Sequence, residues 1–225
     1  MSQHYFSAQP QAAHRPGLVR VILPDLYLEL ETDAGVFSPG RLDPGTRLLL
    51  DQAPPPPPAG DVIDLGCGYG PIACVLAARS PGATVWAVDV NERALELCAR
   101  NADRAGLANV RCVTPDDASL PAAVDAIWSN PPIRIGKQAL HELLRTWLGR
   151  LRSPVSEAGP ASEAGGASAA GSAGGAIGAC LVVGRNLGAD SLATWLDGQG
   201  WPTVRLAARS GYRLLGVRGA AGDRA

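Results

Sequence analysis

The sequence predicts an α/β fold with a mostly parallel sheet covered by helices on both faces, and three observations carry that expectation. From Asp61 onward, short apolar runs alternate with stretches of helical period. A glycine-rich turn at residues 66–70 joins the first of those runs to its helix, and the second run ends on an acid, Asp89. Runs that stay apolar without alternating belong to strands buried on both faces, as a parallel sheet between helical layers demands.

Taken in order, residues 19–23 and 26–31 alternate well enough to form a short antiparallel pair, turning near Pro24 and Asp25. "LDPGTRLLLDQ" then reads as a helix opened by proline. Together these make an N-terminal extension over residues 1–53. The five prolines at 54–58 make 54–60 a stiff linker, because a proline run cannot continue a helix. The main domain follows over 61–219. "DVIDLG", "ATVWAVDV", "VRCV", "DAIWSN" and "ACLVVGR" are its strands, and "GPIACVLAARS", "NERALELCARNADRAG", "KQALHELLRTWLGRL" and "ADSLATWLDGQG" its helices. "TVRLAAR" and "YRLLGVR" close it as a hairpin around Ser210 and Gly211. Residues 153–178, almost wholly Ala, Gly and Ser with no periodicity, cannot repay their ordering entropy and are expected to form a disordered surface insertion. Residues 220–225 are expected to be a flexible tail.

A formal charge of -1 excludes a generic polyanion binder, yet the charge is unevenly divided. Residues 1–133 hold 9 Lys and Arg against 15 Asp and Glu, whereas residues 134–225 hold 11 against 6. That basic C-terminal part permits a local nucleic-acid surface or simply solvated helix faces. The five cysteines form no CxxC pair and read as reduced core residues. The N-terminus lacks a cationic region followed by an apolar one, and the uncharged stretch 165–184 is too weakly apolar for a membrane span. The expectation is a cytoplasmic protein with no membrane partner.

In "VIDLGCGYGP", glycines at 66, 68 and 70 allow a tight turn with positive φ and let a ligand approach bare backbone. Position 71 is Pro where the dinucleotide fingerprint needs its third glycine, which argues against a pyrophosphate at the helix start. Asp89 can accept hydrogen bonds from both ribose hydroxyls of an adenosine, or cap the helix that opens at Asn91 and Glu92. After the third strand, Asp116 or Asp117 can take the adenine amino group or cap a turn; Asp117 is the candidate. Cys67 and Tyr69 either touch the cofactor or pack. His141 reads as a partly exposed helical residue.

"SNPPIRIGK" ends a buried strand in a carboxamide and two prolines. This turn resembles the catalytic motif of methyltransferases that act on amino groups, and the resemblance implies as acceptor the exocyclic amine of a base, a weak nucleophile because its lone pair is delocalised into the ring. Two fixed acceptors for its N–H groups draw the nitrogen towards tetrahedral geometry. Asn130 supplies a carboxamide oxygen and Pro131 a backbone carbonyl, while Pro131 and Pro132 have no N–H to compete and stiffen the turn. The methyl donor that such enzymes use is already cationic, so this chemistry calls for no metal.

These residues resemble the class I S-adenosylmethionine-dependent methyltransferases. "DLGCGYG" is similar to their first motif, Asp89 to their ribose-binding acid, and "SNPP" to the catalytic motif of members that methylate amino groups. With "HYFS", "GVFSPGRLDPGT" and "GYRLL" added, the chain resembles the catalytic domain of ribosomal RNA small-subunit guanine-N2 methyltransferases. The resemblance implies a Rossmann-like seven-stranded sheet with a reversed last strand and S-adenosyl-L-methionine as cofactor. It implies Asp64, Gly66 and Gly68 near the cofactor's methionine part, and ribosomal RNA or the small ribosomal subunit as partner. Ile133 departs from the aromatic residue many relatives carry there, giving up stacking worth roughly 1–3 kcal/mol per base. Arg134 and Lys137 on phosphates, or Phe37 closing over the site, are the expected compensation. A protein glutamine amide or adenine N6 is an alternative acceptor, and a catalytically silent RNA-binding module an alternative of another class.

Overall fold

The computed structural model of the chain describes residues 12–152 and 176–219, leaving aside the side chain of Arg134. The "HYFS" motif, residues 153–175 of the expected insertion, and the tail at 220–225 therefore lie outside the described residues.

β1 (Gly17–Ile22) and β2 (Tyr27–Thr32) pair antiparallel, with Gly17 opposite Thr32 and Ile22 opposite Tyr27. Their alternation points Val19, Val21 and Leu30 inward. Each such buried side chain is worth roughly 1.5–3 kcal/mol over an exposed one, so the hairpin is held by the main core rather than by its own two strands. Asn101 of α3 (Glu92–Arg104) pins it further. Its Oδ1 accepts from the Glu31 N–H at 2.7 Å, and its Nδ2 donates to the carbonyls of Glu31 and Tyr69 at 2.9 and 2.8 Å. One buried side chain thus ties the hairpin to the glycine turn.

α1 (Pro44–Gln52) starts where its sequence dictates. Pro44 takes the first position and Asp43 caps it, accepting from the amides of Gly45 and Thr46. Leu48, Leu49 and Leu50 are buried, and the helix lies against the β7, β8 and β9 end of the main sheet. β3 begins at Ala59, so the last two residues of the expected linker already pair in register with β4.

The main sheet has seven strands in the order β5-β4-β3-β6-β7-β9-β8. They are β3 (Ala59–Leu65), β4 (Gly82–Val88), β5 (Val110–Val113), β6 (Ala126–Ser129), β7 (Ile177–Gly184), β8 (Thr203–Arg209) and β9 (Tyr212–Arg218). β9 alone runs against its neighbours, antiparallel to both β7 and β8. The sheet is therefore mostly parallel with a reversed last strand, as expected. β7 starts inside the stretch expected to be an insertion, because Ile177 pairs with Arg218 of β9.

Successive residues along each strand feed opposite layers. Val62, Ala126, Trp128, Cys180 and Val182 pack with α1, α2 (Pro71–Arg79) and α3. Ile63, Ile127, Ala179, Leu181 and Val183 pack with α4 (Lys137–Leu148) and α5 (Ala189–Gly198). The chain reverses its order of strand addition between β3 and β6. That switch point opens a crevice at the carboxyl ends of the strands. Among the described residues, no helix is long and apolar enough to cross a membrane.

Candidate active site

The crevice is a cavity of about 280 Å³. Its two walls are the turn after β3 and the turn after β6. Their adjacency follows from register: Asp64 sits beside Trp128, so both strands end together. The Ser129 hydroxyl donates to the Leu65 carbonyl at 2.6 Å and fastens the two ends.

In the first wall, Gly66, Gly68 and Gly70 all have positive φ (78°, 55° and 92°). A Cβ added at Gly68 would meet nothing within 4 Å, and one at Gly66 only Pro132 Cδ at 4.0 Å. These two glycines therefore offer bare backbone to open space, with the Asn-Pro-Pro turn opposite. Gly70 serves another need. A Cβ there would come within 2.6 Å of Cys98 Sγ, so it permits close approach of the turn to α3.

Two carboxylates brace this turn. Asp89 lines the cavity; its Oδ2 accepts from the Gly68 N–H and its Oδ1 from the Asn91 N–H, both at 2.9 Å. The Val90 N–H also bears on this carboxylate, and lone-pair room remains for a ligand. Burial raises its pKa, with the N–H groups of Asn91 and Gly68 opposing the shift. Asn91 itself caps α3 through its own side chain. Asp64 lies behind the turn, fully buried and not among the lining residues. Its Oδ2 accepts from the Ala73 N–H at 2.8 Å, which satisfies an end group of α2, while its Oδ1 is sealed from solvent with no partner among the described residues. Burial pushes its pKa up to about 8.

The second wall is Asn130, Pro131, Pro132 and Ile133, all lining the cavity. Asn130 Nδ2 donates to Asp43 Oδ1 at 2.9 Å and Thr46 Oγ1 at 3.0 Å. No donor among the described residues reaches Asn130 Oδ1, and that oxygen is not sealed from solvent. The Pro131 carbonyl is less free than the prolines alone suggest. Pro132 has φ -74° and ψ 73°, an inverse γ-turn, and the Ile133 N–H donates to Pro131 O at 2.8 Å. The two prolines bring no competing amide, but the residue after them does. One lone pair of that carbonyl remains.

Phe37 stands at the cavity's lip, 42% exposed. Lys137 is exposed at the start of α4, two residues beyond the short 3-10 turn that holds Ile133 and the Arg134 backbone. Asp117 does not line the cavity. It turns to Ser119, whose N–H and hydroxyl donate to Oδ1 at 2.8 and 2.6 Å and hold its carboxyl below the usual range, leaving Pro115 as the lining residue from that loop. A local turn outcompetes a reach into the cavity for so short a side chain. Cys67 and Tyr69 are buried and pack. His141 stacks on Trp195 with ring centroids 3.7 Å apart.

Sequence reasoning missed Asp43, Thr46 and Tyr212. Asp43 and Tyr212 line the cavity, and the Tyr212 hydroxyl lies 3.4 Å from Asp43 Oδ2. "LDPGT" announces a helix cap, but nothing in its spacing says that the cap reaches a turn 87 residues away.

The cavity suits S-adenosyl-L-methionine. It has a glycine cradle that any Cβ would fill and a lining carboxylate with spare lone pairs for ribose hydroxyls. When bound, that cofactor supplies an electrophilic methyl group on a sulfonium. The uncharacterised protein YbxB of Bacillus subtilis (strain 168) is 37% identical over 146 residues, covering 64% of this chain and 73% of that one. Ribosomal RNA small subunit methyltransferase C of Hahella chejuensis is 41% identical over 109 residues, covering 48% of this chain and 32% of that one. The T. thermophilus 16S rRNA N2 G1207 methyltransferase, solved with AdoMet and guanosine, shares the fold with a TM-score of 0.69 at 21% identity. That match covers 90% of this chain and 50% of that one. The chain thus spans a third to a half of these two ribosomal RNA methyltransferases. The sequence profile of the methyltransferase small domain matches residues 27–154, more than half of the chain. The chain belongs to the methyltransferase small domain family.

Proposed function

We propose that this S-adenosylmethionine-dependent methyltransferase acts on an exocyclic amine, that of guanine N2 in ribosomal RNA, in the cytoplasm. The observation that carries the reading is Asn130. Both of its N–H groups are held by Asp43 and Thr46, which leaves its carboxamide oxygen as an acceptor in the cavity shared with Gly66 and Gly68. The remaining lone pair of Pro131 O is the second acceptor. Together they hold a planar NH₂ and draw its nitrogen lone pair out of conjugation. Asp89 takes the ribose hydroxyls of the cofactor, and Gly66 and Gly68 give its methionine part room. Asp64, which does not line the cavity, serves the cofactor by holding the glycine turn.

A nucleic-acid acceptor is supported by the cations around the cavity. Among the described residues, Arg41, Arg185 and Lys137 have no ion-pair partner. Arg41 lies close enough to Tyr212, which lines the cavity, to act on its hydroxyl electrostatically, Arg185 follows Gly184, which also lines it, and Lys137 follows the Asn-Pro-Pro turn. Unpaired cations at an active-site rim suit phosphates. Phe37 and Ile133 offer the flipped base its apolar faces.

The test is transfer of labelled methyl from S-adenosylmethionine to naked ribosomal RNA and to assembled small subunits. Digestion to N2-methylguanosine is expected. Label in protein alone, or in N6-methyladenosine, overturns the acceptor assignment. Calorimetry with no detectable cofactor binding would favour a silent module.

A further inference from the structure

We propose that Asp43 and Thr46, at the start of α1, are the positioning residues that set which face Asn130 shows to the substrate. The proposal rests on the reading of Asn130 as the amine's acceptor. A carboxamide can be turned over by half a rotation, exchanging its acceptor oxygen for its donor nitrogen at little intrinsic cost. An Asn130 turned the wrong way would present N–H groups to the N–H groups of the target amine. Something must forbid that orientation.

Asp43 does so by charge and Thr46 by saturation. Ionised, the Asp43 carboxylate can only accept, so the group facing it at 2.9 Å must be the amide nitrogen. Thr46 Oγ1 takes the second N–H at 3.0 Å, and Thr46 is only 3% exposed. The reversed amide would set a carboxamide oxygen against a carboxylate oxygen and leave the cavity without its acceptor. An ion-assisted hydrogen bond is about twice as strong as a neutral one. It also draws electron density towards Asn130 Oδ1, which strengthens the acceptor as positive charge develops on the amine nitrogen.

The same Asp43 oxygen caps α1 through Gly45 and Thr46 at 2.8 and 3.0 Å, so a structural role has to be separated from a positioning one. Three substitutions do this. Asp43→Asn keeps an oxygen for both the cap and Asn130. Asp43→Ser keeps a helix cap on a side chain one bond shorter, which withdraws the anchor from Asn130. Thr46→Val keeps the shape and leaves the cap untouched.

The experiment measures turnover on ribosomal RNA, cofactor affinity, thermal midpoint and hydrogen exchange of the Asn130 side-chain amide by NMR. In the wild-type chain, that amide should be protected. Asp43→Ser and Thr46→Val should lose that protection and lower kcat by about 10-fold or more, since acceptor alignment is worth 10²–10³ when removed outright. Cofactor affinity and thermal midpoint should hold. Asp43→Asn, whose oxygen the same cap holds towards Asn130 but without the charge, should keep the protection and recover only part of the turnover. A wild-type Asn130 amide that exchanges freely overturns the proposal whatever the turnover. So does turnover in the Ser and Val variants equal to wild type, or a loss that tracks the thermal midpoint. A protected Asn130 in a wild-type chain inactive on RNA sinks the RNA reading while leaving the orientation claim standing.

Discussion

The two turns that face each other across the cavity are braced in opposite ways. The glycine turn is held from nearby: Asp64 bonds Ala73 nine residues on, and Asp89 bonds Gly68 twenty-one residues back. The Asn-Pro-Pro turn is held from far away, with Asp43 and Thr46 lying 87 and 84 residues from Asn130. On the proposed reading, the cofactor seat is thus a property of one β-α-β unit, whereas the acceptor seat exists only once α1 has docked on the sheet. Damage to one should leave the other intact.

The largest expected effect tests that independence directly. Asn130→Ala should reduce methyl transfer by about 10²–10³-fold or more while cofactor affinity stays within about two-fold, since on the proposed reading it deletes a contact made only to the acceptor. Labelled transfer and calorimetry measure the two quantities. A parallel fall in cofactor affinity would break the comparison.

Substitution in the glycine turn sharpens it from the other side. Gly70→Ala forces a Cβ against Cys98 Sγ at 2.6 Å and Cys98 Cα at 3.2 Å, in a backbone with φ 92°. Strain and overpacking together should cost roughly 2–5 kcal/mol in urea unfolding. Gly68→Ala has open space around it and should cost only about 1–2 kcal/mol. Its loss should fall on cofactor affinity instead.

Asp64 gives a pH signature to the same turn. Its folded pKa, raised by burial to about 8, exceeds the ordinary 3.8. Between those values the folded chain holds a proton that the unfolded chain has released. Rising pH therefore favours unfolding, by up to about 1.4 kcal/mol per pH unit. Asp64→Asn should flatten that slope in urea midpoints taken from pH 5 to pH 8. An unchanged slope would assign it to other groups.

The smallest effect concerns the rim. Removing Arg41 and Arg185 together should lower the dependence of log affinity on log salt by about 0.7 per lost single-strand phosphate contact. Cofactor affinity should not move. An unaltered salt slope would take these cations out of the acceptor side.

Much of this was legible in the chain because it is locally encoded. The alternation of apolar runs and helical periods after Asp61 gave the layered sheet, since each run carries its own burial pattern. The glycine turn and Asp89 were legible for the same reason: both are ends of consecutive strands of one unit. Asp117 shows the limit, because a short acid in a loop chooses between a ligand and its own turn, and here Ser119 holds it. The amide of Ile133 closing onto Pro131 was also hidden, since it depends on the ψ of Pro132 and not on the identities of the prolines.

By itself, the sequence determined the order of strands and helices, the bare backbone at 66 and 68, and the carboxamide at 130. Those follow from periodicity and from what each side chain can or cannot do. Only the tertiary structure decided that a helix cap at Asp43 faces that carboxamide. Helix caps are read over three or four residues, whereas a contact spanning 87 residues is fixed by how α1 packs on the sheet.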